Sequence, residues 1–129
     1  APRAKPRATP KQVSKRRAAD ETLRVILTRL DDMKAEDTVT IDLIGKTTIA
    51  DVMVVTSGRS NRHVTSIADS TIEGLQKAGV KGVRVEGKRA GDWVLIDAGD
   101  VIVHVFRPEV RAFYDLEKMW SNTRHPKSS

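Results

Sequence analysis

DWVLIDAGDVIVHVF, residues 92–106, carries the strongest structural signal in the chain. Its two apolar runs, 93–96 and 101–106, are rich in β-branched and aromatic residues, and the break between them contains Gly99, which adopts a positive φ at little cost. This pattern predicts a β-hairpin. Because both faces of the two strands are largely apolar, we expect the hairpin at the centre of a sheet that is covered on two sides.

The residues before position 57 predict one helix and two strands. Asp20 can cap a helix that runs to about residue 34, with apolar residues at helical spacing along one stripe. Alternating apolar residues predict a strand over 38–43, and a second strand over 49–56 follows a two-residue turn at Gly45 and Lys46.

The rest of the chain completes an α/β pattern. A second helix should begin near Asn61 and stop at Gly79, and a short strand should span 83–86 before the hairpin. After Pro108, residues 109–120 predict a last helix with an apolar stripe. The order αββαβββα predicts a mixed five-stranded sheet flanked by helices on both faces.

The net charge of +6 is unevenly distributed along the chain. Residues 1–19 hold seven cations and no acid, residues 121–129 hold two more cations, and residues 20–120 are left at −3. The proline-rich basic tail has too few apolar residues to fold, so it predicts disorder. We therefore expect one mildly acidic domain over 20–120, between a disordered basic tail at 1–19 and a flexible C-terminal tail at 121–129.

The composition excludes several classes of protein. The chain has no cysteine and three histidines, which leaves no Cys/His cluster for zinc and no thiolate chemistry. No apolar run approaches the roughly 20 residues that cross a bilayer. These features predict a soluble, cytoplasmic protein with no cofactor, no metal and no membrane partner.

Residues 57–60, SGRS, join a strand to a helix, an order that can place helix N–H groups around an anion. The segment lacks the spacing of a P-loop or of a dinucleotide fingerprint. A helix start without a ligand is therefore the favoured interpretation. A nucleotidyltransferase-like enzyme that holds phosphates at the Ser57-Gly58 turn is the alternative.

The titratable residues of the hairpin do not form a catalytic pattern. Asp92, Asp97 and Asp100 are five and three positions apart, which does not place two carboxylates side by side on one strand face. Turn and capping roles are favoured for Asp97 and Asp100. His104, inside the second strand, is expected to be a hydrogen-bonded core residue.

Three segments carry a family resemblance: IADVMVVTSGRSNRHVTSIAD (49–69), VEGKRAGDWVLIDAGDVIVHVF (85–106) and YDLEKMW (114–120). In order and spacing they are similar to the ribosomal silencing factor family, also called RsfS or Iojap-like. The resemblance implies a nucleotidyltransferase-like α/β fold that has lost its catalytic carboxylates. It also implies a non-enzymatic factor that binds the large ribosomal subunit at its subunit-interface protein, the fourteenth in the usual numbering, and sterically blocks joining of the small subunit, so that translation is repressed.

The resemblance also implies a set of partner-binding residues. The interface positions of the family correspond to Trp93 on the hairpin and Tyr114 on the last helix, although from the residues alone both could equally be core. Neighbours by strand and helix spacing, with His63 as a further candidate, complete the predicted set: Trp93, Leu95, Asp97, Tyr114, Glu117 and His63.

Charge and apolar surface suggest the kinds of contact. A mildly acidic domain complements a basic ribosomal protein, and the basic tails could contact rRNA. An apolar partner-facing surface could make the free protein a homodimer. An RNA-binding module that acts through residues 1–19 is a third interpretation.

Overall fold

A computed structural model describes residues 10–114, and the side chains of residues 18–112 within them. The order of elements agrees with the predicted αββαβββα. No helix in this part of the chain is both long enough and apolar enough to span a membrane. The elements are α1 Pro10–Asp32, β1 Glu36–Asp42, β2 Val52–Ser57, α2 Asn61–Lys77, β3 Arg84–Glu86, β4 Trp93–Asp97, β5 Val101–Phe106 and α3 Pro108–Tyr114.

The five strands form one mixed sheet in the order β1-β2-β5-β4-β3. The predicted hairpin is confirmed: β4 and β5 pair antiparallel from Trp93 opposite Phe106 to Asp97 opposite Ile102. Strand β5 lies at the centre and also pairs with β2, the one parallel pairing in this sheet. A hairpin strand that is paired on both sides explains why nearly all of its side chains are apolar.

One face of the sheet is covered by α1 and α2. These helices bury apolar residues against alternate positions of the central strands, and Val54, Val94 and Val103 are fully buried there. Helix α2 begins where the Ser60 hydroxyl accepts a hydrogen bond from the His63 N–H, and ends before Gly79, which has a φ of +83°. The predicted stop of this helix is therefore confirmed.

The opposite face has its own apolar core. Phe106 is completely buried at its centre, with Met53 and Val55 of β2 beside it. Helix α3 packs on this side through Val110, and Trp93 contributes a half-buried ring. The sheet therefore has helices on both faces, as predicted, but the described part of α3 covers its face much less completely than α1 and α2 cover theirs.

Helix α1 begins ten residues earlier than predicted. It starts at Pro10, so the predicted N-cap at Asp20 is wrong and residues 10–19 of the predicted tail are helical. Proline suits the first turn of a helix, and the helix already packs on the protein at Ala19, which is 2% exposed. Residues 1–9 and 115–129 lie outside the described residues, and the domain bounds at 20 and 120 stay predictions.

The prediction of a two-residue turn between β1 and β2 is also wrong. Gly45 does adopt a positive φ, but it lies within a longer connection over residues 43–51. Leu43 and Ala50 are buried in the second core and hold both ends of this connection against the sheet. Burial of these two apolar side chains therefore outweighs the shorter turn that the alternation pattern favoured.

Two glycines with positive φ make a matched test of the packing around β4. A Cβ at Gly87 would overlap the carbonyl oxygen of Trp93, whereas a Cβ at Gly99 would meet nothing within 4 Å. We expect Gly99→Ala to lower the free energy of unfolding by about 1 kcal/mol through backbone strain alone. Gly87→Ala should lower it by about 2 to 4 kcal/mol, because overpacking adds to the strain.

Urea unfolding of the two variants, followed by circular dichroism, measures this difference. Equal losses for Gly87→Ala and Gly99→Ala would contradict the close approach of the backbone to the Trp93 carbonyl.

Candidate partner-binding surface

Three of the six predicted partner-binding residues lie together on β4. Trp93, Leu95 and Asp97 are at alternate positions of the strand, point to the face of the second core, and are each half-buried. Ile102 of β5, opposite Asp97, is half-buried on the same face. We call the surface of Trp93, Leu95, Asp97 and Ile102 the β4 face.

The indole of Trp93 is held in place by the second core. Its ring centroid is 4.9 Å from that of Phe106 and 5.8 Å from that of His104, and both ring pairs are tilted. The indole Nε1–H donates a hydrogen bond of 2.9 Å to His104 Nδ1. Trp93 is therefore both a packed residue and a partly exposed one, a rigid anchor of the kind that is enriched in binding interfaces.

His104 is confirmed as a hydrogen-bonded core residue. It is 7% exposed, and burial lowers the pKa of its imidazole from 6.5 to about 4. Because an indole N–H can only donate, Nδ1 of His104 must be unprotonated to accept its hydrogen bond. The neutral imidazole thus supports the orientation of Trp93.

Among the described residues, Leu95 is in neither apolar core, although its side chain is half-buried. Asp97 has the turn role that was predicted, since its Oδ1 accepts a hydrogen bond of 2.9 Å from the Gly99 N–H. The second turn carboxylate differs: Asp100 binds through its backbone carbonyl, which accepts hydrogen bonds from the Asp51 and Val52 N–H groups.

His63 lies away from the β4 face. It is in the first turn of α2, within the helix layer on the other side of the sheet. Its Nδ1 accepts a hydrogen bond from the Arg59 N–H, and its Nε2–H donates one to the carbonyl oxygen of Met33. These bonds connect α2 to the end of α1, so the structure does not bring His63 together with the other candidates.

The two remaining candidates lie at the end of α3 and beyond it. Tyr114 is the last described residue of that helix, and its side chain and Glu117 lie outside the part whose side chains are described.

Sequence reasoning missed the residues that position α3. Arg107 Nε lies 3.1 Å from Asp92 Oδ1, and Arg111 Nη1 donates a hydrogen bond of 2.9 Å to Ser57 Oγ. The available signal was the pair of arginines four residues apart, one just before Pro108 and one within the helix.

The Ser57-Gly58 turn is closed by contacts within the protein. Ser57 Oγ accepts the bond from Arg111, and the Gly58 N–H donates to the carbonyl oxygen of Phe106. A Cβ at Gly58 would lie 2.9 Å from the Val64 backbone nitrogen, so close packing accounts for this glycine. Among the described residues no group of three or more His, Asp or Glu side chains could hold a metal ion.

The buried His104 predicts a pH dependence of stability. Its pKa is lower in the folded than in the unfolded state, so its contribution is present above pH 6.5 and is lost as the pH falls towards 4. From about pH 7.5 to about pH 5 this one group should lower the free energy of unfolding by about 2 kcal/mol.

The measurement is urea unfolding of the wild type and of His104→Asn, at both pH values. The asparagine carbonyl can still accept the Trp93 hydrogen bond but does not titrate, so its loss of stability should be smaller by about 2 kcal/mol. The same loss in both proteins would contradict a neutral, buried His104.

Comparison with known proteins agrees with this architecture. The family model described as "Ribosomal silencing factor during starvation" matches residues 16–129. A Zymomonas mobilis protein, "Ribosomal silencing factor RsfS", is 50% identical over 98 residues, which are 76% of this chain and 74% of that protein.

Two further relatives extend the comparison. A crystal structure of a Chromobacterium violaceum protein has a TM-score of 0.78 at 40% identity and covers 86% of this chain and 90% of its own. The mouse "Mitochondrial assembly of ribosomal large subunit protein 1" is 29% identical over 100 residues, 75% of this chain and 44% of that protein. Since the family model matches well over half of its residues, this chain belongs to the ribosomal silencing factor (RsfS) family.

Proposed function

We propose that the protein binds the large ribosomal subunit through the β4 face and sterically blocks joining of the small subunit, which represses translation. The partner is the subunit-interface ribosomal protein, the fourteenth of the large subunit. The observation that carries this proposal is the rigid, half-buried Trp93 beside Leu95, an apolar side chain that belongs to neither core. Family membership and the name of the mouse relative support a large-subunit target.

Charge supports a protein partner for this face. Residues 20–120 carry a net charge of −3, which complements a basic ribosomal protein, and the four cations of residues 10–19 belong to α1, which packs on the opposite face of the sheet. The aromatic anchor supplies apolar contact area at low entropic cost, because its ring is already fixed by Phe106 and His104.

Steric exclusion is sufficient as a mechanism. A factor present at about 100 times its dissociation constant disfavours a competing association by about 2.7 kcal/mol, or about a hundredfold. The protein therefore acts as a cytoplasmic, non-enzymatic factor that needs no cofactor. In the absence of ribosomes the same apolar face pairs with a second copy, and sedimentation velocity of the free protein tests this homodimer.

Substitution of Leu95 tests the location of the interface. Leu95→Ser should weaken binding to purified large subunits at least about tenfold, because apolar contact area is lost at the centre of the interface. Its effect on folding should be smaller than that of a core substitution, since among the described residues Leu95 is in neither core. Co-sedimentation with large subunits and light-scattering assays of subunit joining measure the two effects.

Val85→Ser is the matched control. Val85 of β3 is also half-buried, but it packs on the core of α1 and α2. We expect it to lower stability more than Leu95→Ser and to retain large-subunit binding. Normal binding by Leu95→Ser would place the interface elsewhere, and wild-type protein that fails to sediment with large subunits would refute the proposed function.

The basic tails are proposed to contact rRNA. Because α1 begins at Pro10, deletion of residues 1–9 removes three cations and keeps the helix, whereas deletion of 1–19 would not. We expect the shorter deletion to weaken large-subunit binding and to lower the slope of log affinity against log salt by about 2 to 3. An unchanged slope in a salt titration would show that this segment leaves the phosphates uncontacted.

A further inference from the structure

The connection between β1 and β2 displays two large apolar side chains to solvent. Ile49 is 70% exposed and Ile44 is 40% exposed, and no other large apolar side chain described in the structure is as accessible. Their backbones are nevertheless fixed: the Ile44 N–H donates to Asp42 Oδ1, and the Ile49 N–H donates to Thr47 Oγ1. The two isoleucines are therefore held outward by an ordered loop.

The ends of this connection are attached to the sheet. The Leu43 N–H donates a hydrogen bond of 2.8 Å to the Asp51 carbonyl, and the Asp51 N–H donates one of 2.9 Å to the Asp100 carbonyl. Leu43 and Ala50 are buried in the same core as Phe106. Both ends of the loop are therefore anchored to the sheet.

The loop adjoins the β4 face. Across the sheet, Asp97 of β4 is opposite Ile102, which is opposite Met53, which is opposite Ile41 next to the loop. This row crosses four strands on the face of the second core. A partner seated on the β4 face at Asp97 and Ile102 would therefore meet the loop at the same end of the sheet.

The strand ends beside the loop carry several carboxylates, whereas the loop itself has one cation, the exposed Lys46. Four carboxylates stand at this end of the sheet, and within the described part of the chain none has a cation at ion-pairing distance. The opposite end differs, because Arg107 there pairs with both Asp92 and Glu109. The unpaired carboxylates are those of Asp42, Asp51, Asp97 and Asp100.

We propose that residues 43–51 form a second docking element for the partner of the β4 face. The part of this partner that contacts the loop is a basic protein surface with an apolar recess for Ile44 and Ile49. Unpaired carboxylates attract cationic side chains and repel phosphates, so a protein surface fits this end of the sheet and a nucleic acid does not. The inference rests on the proposed function and assigns part of its interface to a loop outside β4.

The full-length Ile44→Ser/Ile49→Ser variant tests the apolar part. Its affinity for purified large subunits should fall at least about tenfold, as expected for apolar side chains within an interface. Circular dichroism should match the wild type, and urea unfolding should show a loss of at most about 1 kcal/mol, because Ile49 is 70% exposed and Ile44 only partly buried. Thr48→Ala, an exposed position in the same loop, is the control and should bind normally.

The Asp51→Asn/Asp100→Asn variant tests the charge. It should bind more weakly at low salt and respond less to added salt, whereas Asp31→Asn/Asp32→Asn, at the exposed end of α1, should behave as the wild type. If the salt dependence of binding by Asp51→Asn/Asp100→Asn equalled that of the wild type, the proposal of a basic partner surface would be wrong.

The outcomes also separate this proposal from the function on which it rests. If the wild type binds large subunits and the double serine variant binds equally well, the loop proposal is wrong while the proposed function stands. If the wild type does not bind them, both are wrong. If the double serine variant lost as much affinity for protein-free rRNA as for large subunits, the loop would contact RNA and the proposal of a protein partner would be wrong.

Discussion

The burial of β5 on both faces and at both edges is the constraint on which the rest of the structure depends. Val103 and Val105 face the core of α1 and α2, and Phe106 faces the second core, all of them fully buried. Because β5 has no free edge and little accessible surface, most contacts with a partner must be made by the neighbouring strands. Strand β4, paired with β5 on one edge and with only the three residues of β3 on the other, therefore presents the half-buried side chains of the β4 face.

That arrangement places one residue in the second core and on the candidate partner-binding surface. Trp93 completes the second core by packing on Phe106, and part of its ring remains accessible on the β4 face. His104 can support the indole only as a neutral base, so the core is built around an uncharged imidazole that burial keeps deprotonated. Removal of Trp93 would therefore disturb the core together with the proposed binding, and removal of Leu95 separates the two better.

The sheet was predictable because strand periodicity and the Gly99 turn are local signals, and the same alternation correctly placed Trp93, Leu95 and Asp97 on one face. The start of α1 and the length of the β1–β2 connection depend on burial of Ala19, Leu43 and Ala50 by distant elements, which no local pattern encodes. The ion pair of Arg107 with Asp92 likewise depends on tertiary contacts, so the residues that position α3 were missed.

For the proposed inhibition by occupancy, the orientation of the bound factor matters as much as its affinity. A bound factor blocks a second association only if its bulk fills the space that the competitor needs. With the β4 face against the large subunit, α1 and α2 lie on the far side of the sheet. Sheet and helix layers are each about 10 Å thick, so a body of roughly 20 Å would stand between the two subunits. Direct intersubunit contacts reach only a few ångströms, so they could not form across that distance. The bulk of the factor alone would therefore block joining, and no chemistry by the factor is needed.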